Sequence, residues 1–134
     1  RMTPYFRIIG LGEVLWDLFP DGDHFGGAPA NIACTAAGLL GPSGSVKLVS
    51  ALGDDQRGRD AINFLKQRHV NVSELQITDA PTGTVTVQLD DSGQPLFNIS
   101  NNSAWDNIVW SECWRLVRLQ PANHQYVKDI QSTE

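Results

Sequence analysis

Two compact apolar runs, each followed by a stretch with helical periodicity, constrain the fold of this 134-residue chain most strongly. Residues 5–11 and 46–52 are apolar and bounded by glycine, which is typical of buried strands. The first run precedes a helix predicted from Pro29 to about Leu40, and the second precedes one over residues 58–68. The order strand–helix–strand–helix predicts an α/β fold with a parallel sheet and right-handed crossovers.

A different pattern occupies residues 82–100. Val85 and Val87 alternate with polar residues such as Thr84, and Phe97 continues the alternation after an Asp-Ser-Gly turn. Such alternation predicts an antiparallel hairpin with one covered face and one polar face. Because a two-stranded hairpin is not stable alone, we expect its apolar face to pack on something.

Composition narrows the partners and the compartment. The net charge is −5, from 10 basic and 15 acidic residues, and there is no basic stripe that would favour nucleic acid or an anionic membrane. The sequence shows neither a membrane-length apolar run nor a signal pattern. Two cysteines, Cys34 and Cys113, without metal-like spacing fit a reducing cytoplasm better than a disulfide framework.

A glycine pair, Gly26 and Gly27, opens the first predicted helix. Glycines let the backbone approach a ligand closely, and Pro29 suits the first helical turn. Free amides at the helix start favour hydroxyl oxygens or anions, and Asn31 supplies a donor and an acceptor. A packing helix without a ligand is the alternative interpretation.

Several motifs in a fixed order carry a resemblance to a known family. They are residues 8–17 (IIGLGEVLWD), 26–31 (GGAPAN), 49–58 (VSALGDDQRG), 81–87 (PTGTVTV) and 104–106 (AWD). Together they resemble the N-terminal part of the PfkB (ribokinase-like) carbohydrate kinases, and within that family the fructokinase group. The resemblance implies a partial, doubly wound, Rossmann-like α/β sheet of the ribokinase type, truncated and with a small β-hairpin lid. It divides the chain into a kinase part, 1–112, with lid strands at about 13–26 and 82–100, and a divergent tail, 113–134.

The resemblance also implies a set of substrate-binding residues. Asp17 would accept hydrogen bonds from sugar hydroxyls, while Gly26 and Gly27 would bind through the backbone and Asn31 through its side chain. Ala28 stands where ribokinases carry lysine, which favours a fructose-type sugar over ribose.

Three further residues are weaker candidates for the same site. Glu13 would orient its neighbours or would be an exposed strand carboxylate. Thr84 and Phe97 would cover the sugar from the lid, although Phe97 also fits a core position.

The remaining polar residues have structural explanations. Asp17 could instead be a solvated strand-end carboxylate before a turn. Asp54 and Asp55 fit turn and N-cap positions better than a metal site, and His24 fits a loop residue without a partner.

The family's late Gly-Ala-Gly-Asp motif and its adenine-binding loops are not found in the sequence. The resemblance implies ATP and Mg for the full-length family, but we assign no catalytic, cofactor or metal residue here and expect neither to bind well to this chain. A frameshift or early stop that replaced the C-terminal half is our hypothesis for the divergent tail. An uncovered sheet edge then predicts a homo-oligomer, formed through the lid or that edge.

Three functions remain open. The first is part of an ATP-dependent sugar kinase of the fructokinase type, with the isolated chain inactive. The second is a non-catalytic sugar-binding or self-associating module, and the third is an inactive remnant.

Overall fold

The computed structural model describes residues 3–110 and 125–128. The strands are β1 (Phe6–Leu11), β2 (Leu15–Phe19), β3 (Gly22–Gly26), β4 (Gly44–Gly53), β5 (Val70–Asn71), β6 (Leu75–Thr78), β7 (Gly83–Leu89), β8 (Pro95–Ile99) and β9 (Gln125–Lys128). The helices are α1 (Ala28–Leu40) and α2 (Gln56–Gln67), and short 3-10 helices span Gly41–Ser43 and Ala104–Asn107. The strands and helices predicted from the apolar runs are confirmed to within two residues at each end.

A parallel body sheet forms the larger layer, in the order β5-β4-β1-β9. Strand β6 also pairs with β4, farther along β4 than the residues that pair with β5. Both helices cover one face of this sheet. Ala30 and Ala33 of α1 pack with Leu48 of β4 and with Ala61 and Leu65 of α2 in one buried cluster. Small alanines let α1 lie close to the strands. The predicted α/β fold with a parallel sheet is therefore confirmed.

The opposite face of the body sheet has its own smaller cluster, in which Ala51 packs with Ala104 and Ile108. Strand β9 lies within the segment 113–134, for which the sequence pattern predicted no element, and it pairs in parallel with β1. Neither helix in the described ranges is long and apolar enough to cross a membrane.

A small sheet, ordered β3-β2-β7-β8, lies beside the body sheet and contains the predicted lid strands. β2 pairs antiparallel with β3 and parallel with β7, and β7 and β8 form the predicted antiparallel hairpin. The expectation that the hairpin's apolar face is covered holds only for β7. Val85 and Val87 are buried with Leu15, whereas Phe97 and Ile99 of β8 are exposed because no described element packs over that strand.

Candidate functional site

The register of the small sheet decides which candidate residues share a face. Residues directly opposite each other on neighbouring strands project to the same side. Asp17 is opposite His24 on β3 and opposite Val85 on β7, and Leu15 is opposite Gly26 and Gly83. We call this side, which also carries Phe97, the Asp17 face.

The Asp17 carboxylate lies directly over Gly26. A Cβ atom at position 26 would be 2.6 Å from Oδ2 of Asp17, so only glycine leaves room for the carboxylate there. Asp17 is half-buried, and its side chain forms no hydrogen bond or ion pair with the described residues. Its oxygens are therefore available as acceptors beside Gly26, the residue that precedes Gly27 at the N-cap of α1.

The backbone at Gly27 passes beneath Glu13. Gly27 has φ of 102°, and a Cβ atom there would be 2.7 Å from the carbonyl oxygen of Glu13. The Glu13 side chain then accepts a hydrogen bond from the Ala28 amide, with 3.3 Å between N and Oε1. Our expectation of free amides at the helix start is thus wrong for Ala28. Glu13 is half-buried and fixes the start of α1, instead of being an exposed strand carboxylate.

Asn31 lies in the first turn of α1, exposed to solvent. Its backbone N–H donates to the carbonyl oxygen of Gly27 at 2.9 Å, which fixes the turn. The side-chain amide forms no hydrogen bond with the described part of the chain, so both of its polar atoms remain open to a ligand.

The two lid candidates lie on opposite faces of the small sheet. Phe97 is on the Asp17 face but is 64% exposed, so the interpretation of Phe97 as a core residue is wrong for this chain. Thr84 is opposite Trp16, on the other face, where its hydroxyl lies 2.7 Å from the Ser100 hydroxyl. Strand alternation thus separates Thr84 from Asp17, and its expected contact with the sugar has no support in this geometry.

His24 is a residue that the sequence argument placed in a loop. It lies within β3, directly opposite Asp17, with Nε2 3.7 Å from Asp21 and its ring 5.0 Å from that of Phe19. The alternation of residues 22–26 was the available signal, but this strand is too short and too rich in glycine to show it clearly.

Asp55 has a structural role, as predicted. It caps α2 by accepting the Gly58 amide at 2.8 Å, and it accepts the amide and the hydroxyl of Thr82 at 2.9 and 2.7 Å. Partial burial opposes ionisation, but these hydrogen bonds and the nearby Arg57 outweigh it and lower the pKa of Asp55. Asp54 forms an exposed ion pair with Arg59 at 3.3 Å. The described residues contain no group of three or more His, Cys, Asp or Glu side chains that could hold a metal ion.

Comparison with known proteins relates this chain to a family of carbohydrate kinases. The profile of the pfkB family carbohydrate kinases matches residues 21–130, which includes most of the segment expected to diverge. A fructokinase from Klebsiella pneumoniae is 40% identical over 112 residues, covering 79% of this chain and 36% of that protein. The chain thus spans about a third of the length of the curated relatives it matches.

Solved structures agree with the sequence comparison. The fructokinase from Vibrio cholerae O395 in its fructose, ADP and calcium ion bound form has a TM-score of 0.66 and 30% identity, with 80% of this chain and 36% of that chain covered. An uncharacterized sugar kinase from Pyrococcus horikoshii in complex with ATP has a TM-score of 0.64 and 29% identity, with 78% and 39% covered. Since the family profile matches well over half of its residues, this chain belongs to the pfkB family of carbohydrate kinases.

Proposed function

We propose that this chain is the sugar-binding portion of an ATP-dependent, fructokinase-like sugar kinase. The observation that carries the proposal is the Asp17 carboxylate, which lies over Gly26 just before α1 and has no hydrogen-bond or ion-pair partner among the described residues. The similarity to the Klebsiella fructokinase and to the Vibrio enzyme with bound fructose supports a fructose-type ligand.

Each residue of the site has a physical part in this binding. Asp17 accepts hydrogen bonds from two sugar hydroxyls, which are stronger than neutral bonds because the acceptor is charged. Asn31 both donates and accepts, while Gly26 and Gly27 allow the backbone to approach the ring. Glu13 positions the start of α1, and Phe97 offers an apolar cover from the same face of the small sheet.

ATP is the phosphoryl donor that we propose for the complete activity, because the Pyrococcus relative was solved with ATP. The described residues offer no acidic cluster that fits Mg, so we assign no step of phosphoryl transfer to them. We expect the chain by itself to consume no ATP when fructose is added.

Titration with D-fructose, followed by amide NMR shifts, tests the binding proposal. Asp17→Asn and Asn31→Ala are expected to weaken fructose binding about tenfold or more, since the first replaces a charged acceptor by a neutral amide and the second removes the side-chain donor and acceptor. Asp91→Asn and Asn63→Ala are matched controls, because they make equivalent changes at exposed positions away from the Asp17 face. Unchanged affinity in the Asp17 variant would remove this residue from the site.

The same titration separates the alternatives to a kinase. A non-catalytic sugar-binding module would bind fructose but not phosphorylate it, even when the chain is extended by the rest of a family kinase. An inactive remnant would unfold cooperatively but bind no sugar. A longer chain that phosphorylates fructose would confirm the kinase proposal.

We also propose that the chain self-associates in the cytoplasm. Strand β8 is a sheet edge that carries exposed Phe97 and Ile99 beside exposed Leu89, and such edges favour pairing with another copy. Light scattering is expected to show a dimer or larger species. Ile99→Asp should shift it to monomer, whereas Leu39→Asp, at an exposed leucine of α1, should not. A monomeric mass for the unmodified chain would contradict this proposal.

The half-buried free thiol of Cys34 suits the reducing compartment.

A further inference from the structure

The Asp17 face has a second notable feature besides its carboxylate. Gly83 at the start of β7 is opposite Leu15, as Gly26 is on the other side. A Cβ atom at position 83 would be 2.8 Å from Cδ1 and 3.0 Å from Nε1 of Trp105. The two glycines that flank Leu15 are thus covered by the Asp17 carboxylate on one side and by the Trp105 indole on the other.

The spacing of strands sets the distance between these two groups. Neighbouring strands lie about 4.8 Å apart, so Gly26 and Gly83, two strands apart, are separated by about 10 Å. The carboxylate and the indole therefore lie on the same face of the small sheet, on either side of the buried Leu15.

The backbone around Trp105 is held firmly in place. Ala104 donates its amide to the carbonyl oxygen of Pro81 at 2.8 Å, and Ser103 and Asp106 form a reciprocal capping pair around the short 3-10 helix. Trp105 is half-buried, and its indole N–H has no acceptor among the described residues. The indole nitrogen is not among the buried side-chain atoms that lack a partner, so its N–H is open to solvent or to a ligand.

We propose that Trp105 is a second sugar contact and a determinant of specificity in this site, an inference that rests on the proposed function. Its indole ring packs against the C–H face of the sugar, and its N–H donates to a ring or hydroxyl oxygen. Asp17 binds hydroxyls from the opposite side. The pair selects a cyclic sugar that has hydroxyls on one edge and an apolar face on the other.

The test uses the whole chain and D-fructose as the probe, followed by amide and indole N–H resonances. The Trp105 indole signal should move on titration, and Trp105→Ala should raise Kd for fructose about tenfold. Trp105→Phe keeps an aromatic ring but loses the N–H donor, so it should weaken binding less than Trp105→Ala. It also keeps the proposal testable if the alanine variant does not fold. Trp110→Ala, at an exposed indole five residues later, is the control and should bind normally.

Gly83→Ala provides an independent steric version of the same test. The added methyl would displace the indole without removing it, so it should weaken fructose binding in a chain that retains Trp105. Normal Kd in both the Trp105→Phe and Gly83→Ala variants, together with an unmoved indole signal, would overturn the inference while Asp17→Asn still reports on the proposed function. Absence of fructose binding by the unmodified chain would instead overturn the proposed function, and this inference with it.

Discussion

The two arms of the small sheet, β2–β3 and β7–β8, attach to the body of the molecule in different ways. The β2–β3 arm is held against α2 by side chains of both of its strands. Trp16 and Phe25 of this arm meet Phe64 of α2, with Phe25 and Phe64 stacked at 4.2 Å between ring centroids. The Trp16 indole also donates to the carbonyl oxygen of Arg57 at 3.0 Å.

The β7–β8 arm is held mainly at its root. Asp55 binds the amide and hydroxyl of Thr82, just before β7 begins, whereas every residue of β8 is exposed. Asp17, which we propose as the acceptor of sugar hydroxyls, therefore lies on the firmly attached arm. The apolar residues that would cover a ligand lie on the loosely attached arm, where adjustment costs little.

The largest expected effect comes from the contact that holds the β2–β3 arm. Phe64→Ala should lower the free energy of unfolding by about 2 kcal/mol, since it removes a ring that packs on two aromatic residues and lies under the Arg68 guanidinium. Phe97→Ala on β8 should change stability by less than about 0.5 kcal/mol, because its ring is exposed. Chemical denaturation of both variants checks the comparison. Equal losses would show that β8 is packed as firmly as β2.

The next largest effect on stability is expected where Asp55 binds Thr82, just before β7 begins. Asp55→Asn places an amide nitrogen against donors on Thr82 and should cost about 1–2 kcal/mol at neutral pH. The folded-state pKa of Asp55 is lowered, so its stabilisation is present above the unfolded value of about 3.9 and is lost as pH falls through the lower folded value.

Thermal unfolding between neutral pH and about pH 3 measures this dependence. The unmodified chain should lose its advantage over the Asp55→Asn variant as the pH falls. A constant difference across this range would show that the hydrogen bonds of Asp55 do not depend on its charge. Asp54→Asn, which affects only an exposed pair, is the matched control.

A smaller effect is expected for the ion pair that joins β3 to α2. Arg57 donates from Nε and Nη2 to Oδ2 of Asp23 at 3.2 and 3.0 Å, but both side chains are largely exposed. Arg57→Ala should therefore cost only about 0.5 kcal/mol, and less in high salt. Amide hydrogen exchange should be faster in β2 and β3 and unchanged in β8. Faster exchange across both arms would break the distinction between them.

The body sheet and the lid strands could be predicted because their patterns are local. Apolar runs of a strand's length, a glycine stop after α1 and clean alternation in residues 82–89 each specify one element. Asp55 was also predictable as an N-cap, because its position before a helical pattern is sufficient.

The site itself required information that no local pattern carries. Which face Thr84 and Asp17 occupy depends on the register between β2 and β7, which are far apart in sequence. The occupation of the Ala28 amide by Glu13, and the position of Trp105 over Gly83, are likewise tertiary contacts. Phe97 was misplaced because alternation predicts which side a residue faces but not whether anything covers that side.

The smallest expected effect lies at the tip of the loosely attached arm. Asp90 accepts the amides of Ser92 and Gln94, each at 2.8 Å, together with the Ser92 hydroxyl, and these bonds lower its pKa. Asp90→Ala should open this turn and speed amide exchange at Ser92, Gln94 and the adjacent ends of β7 and β8, without changing the melting temperature. Asp91→Ala, one residue later, should leave exchange unchanged. If exchange in β2 also accelerates, the two arms are coupled, and the stability of the β2–β3 arm depends on the turn at Asp90 as well as on α2.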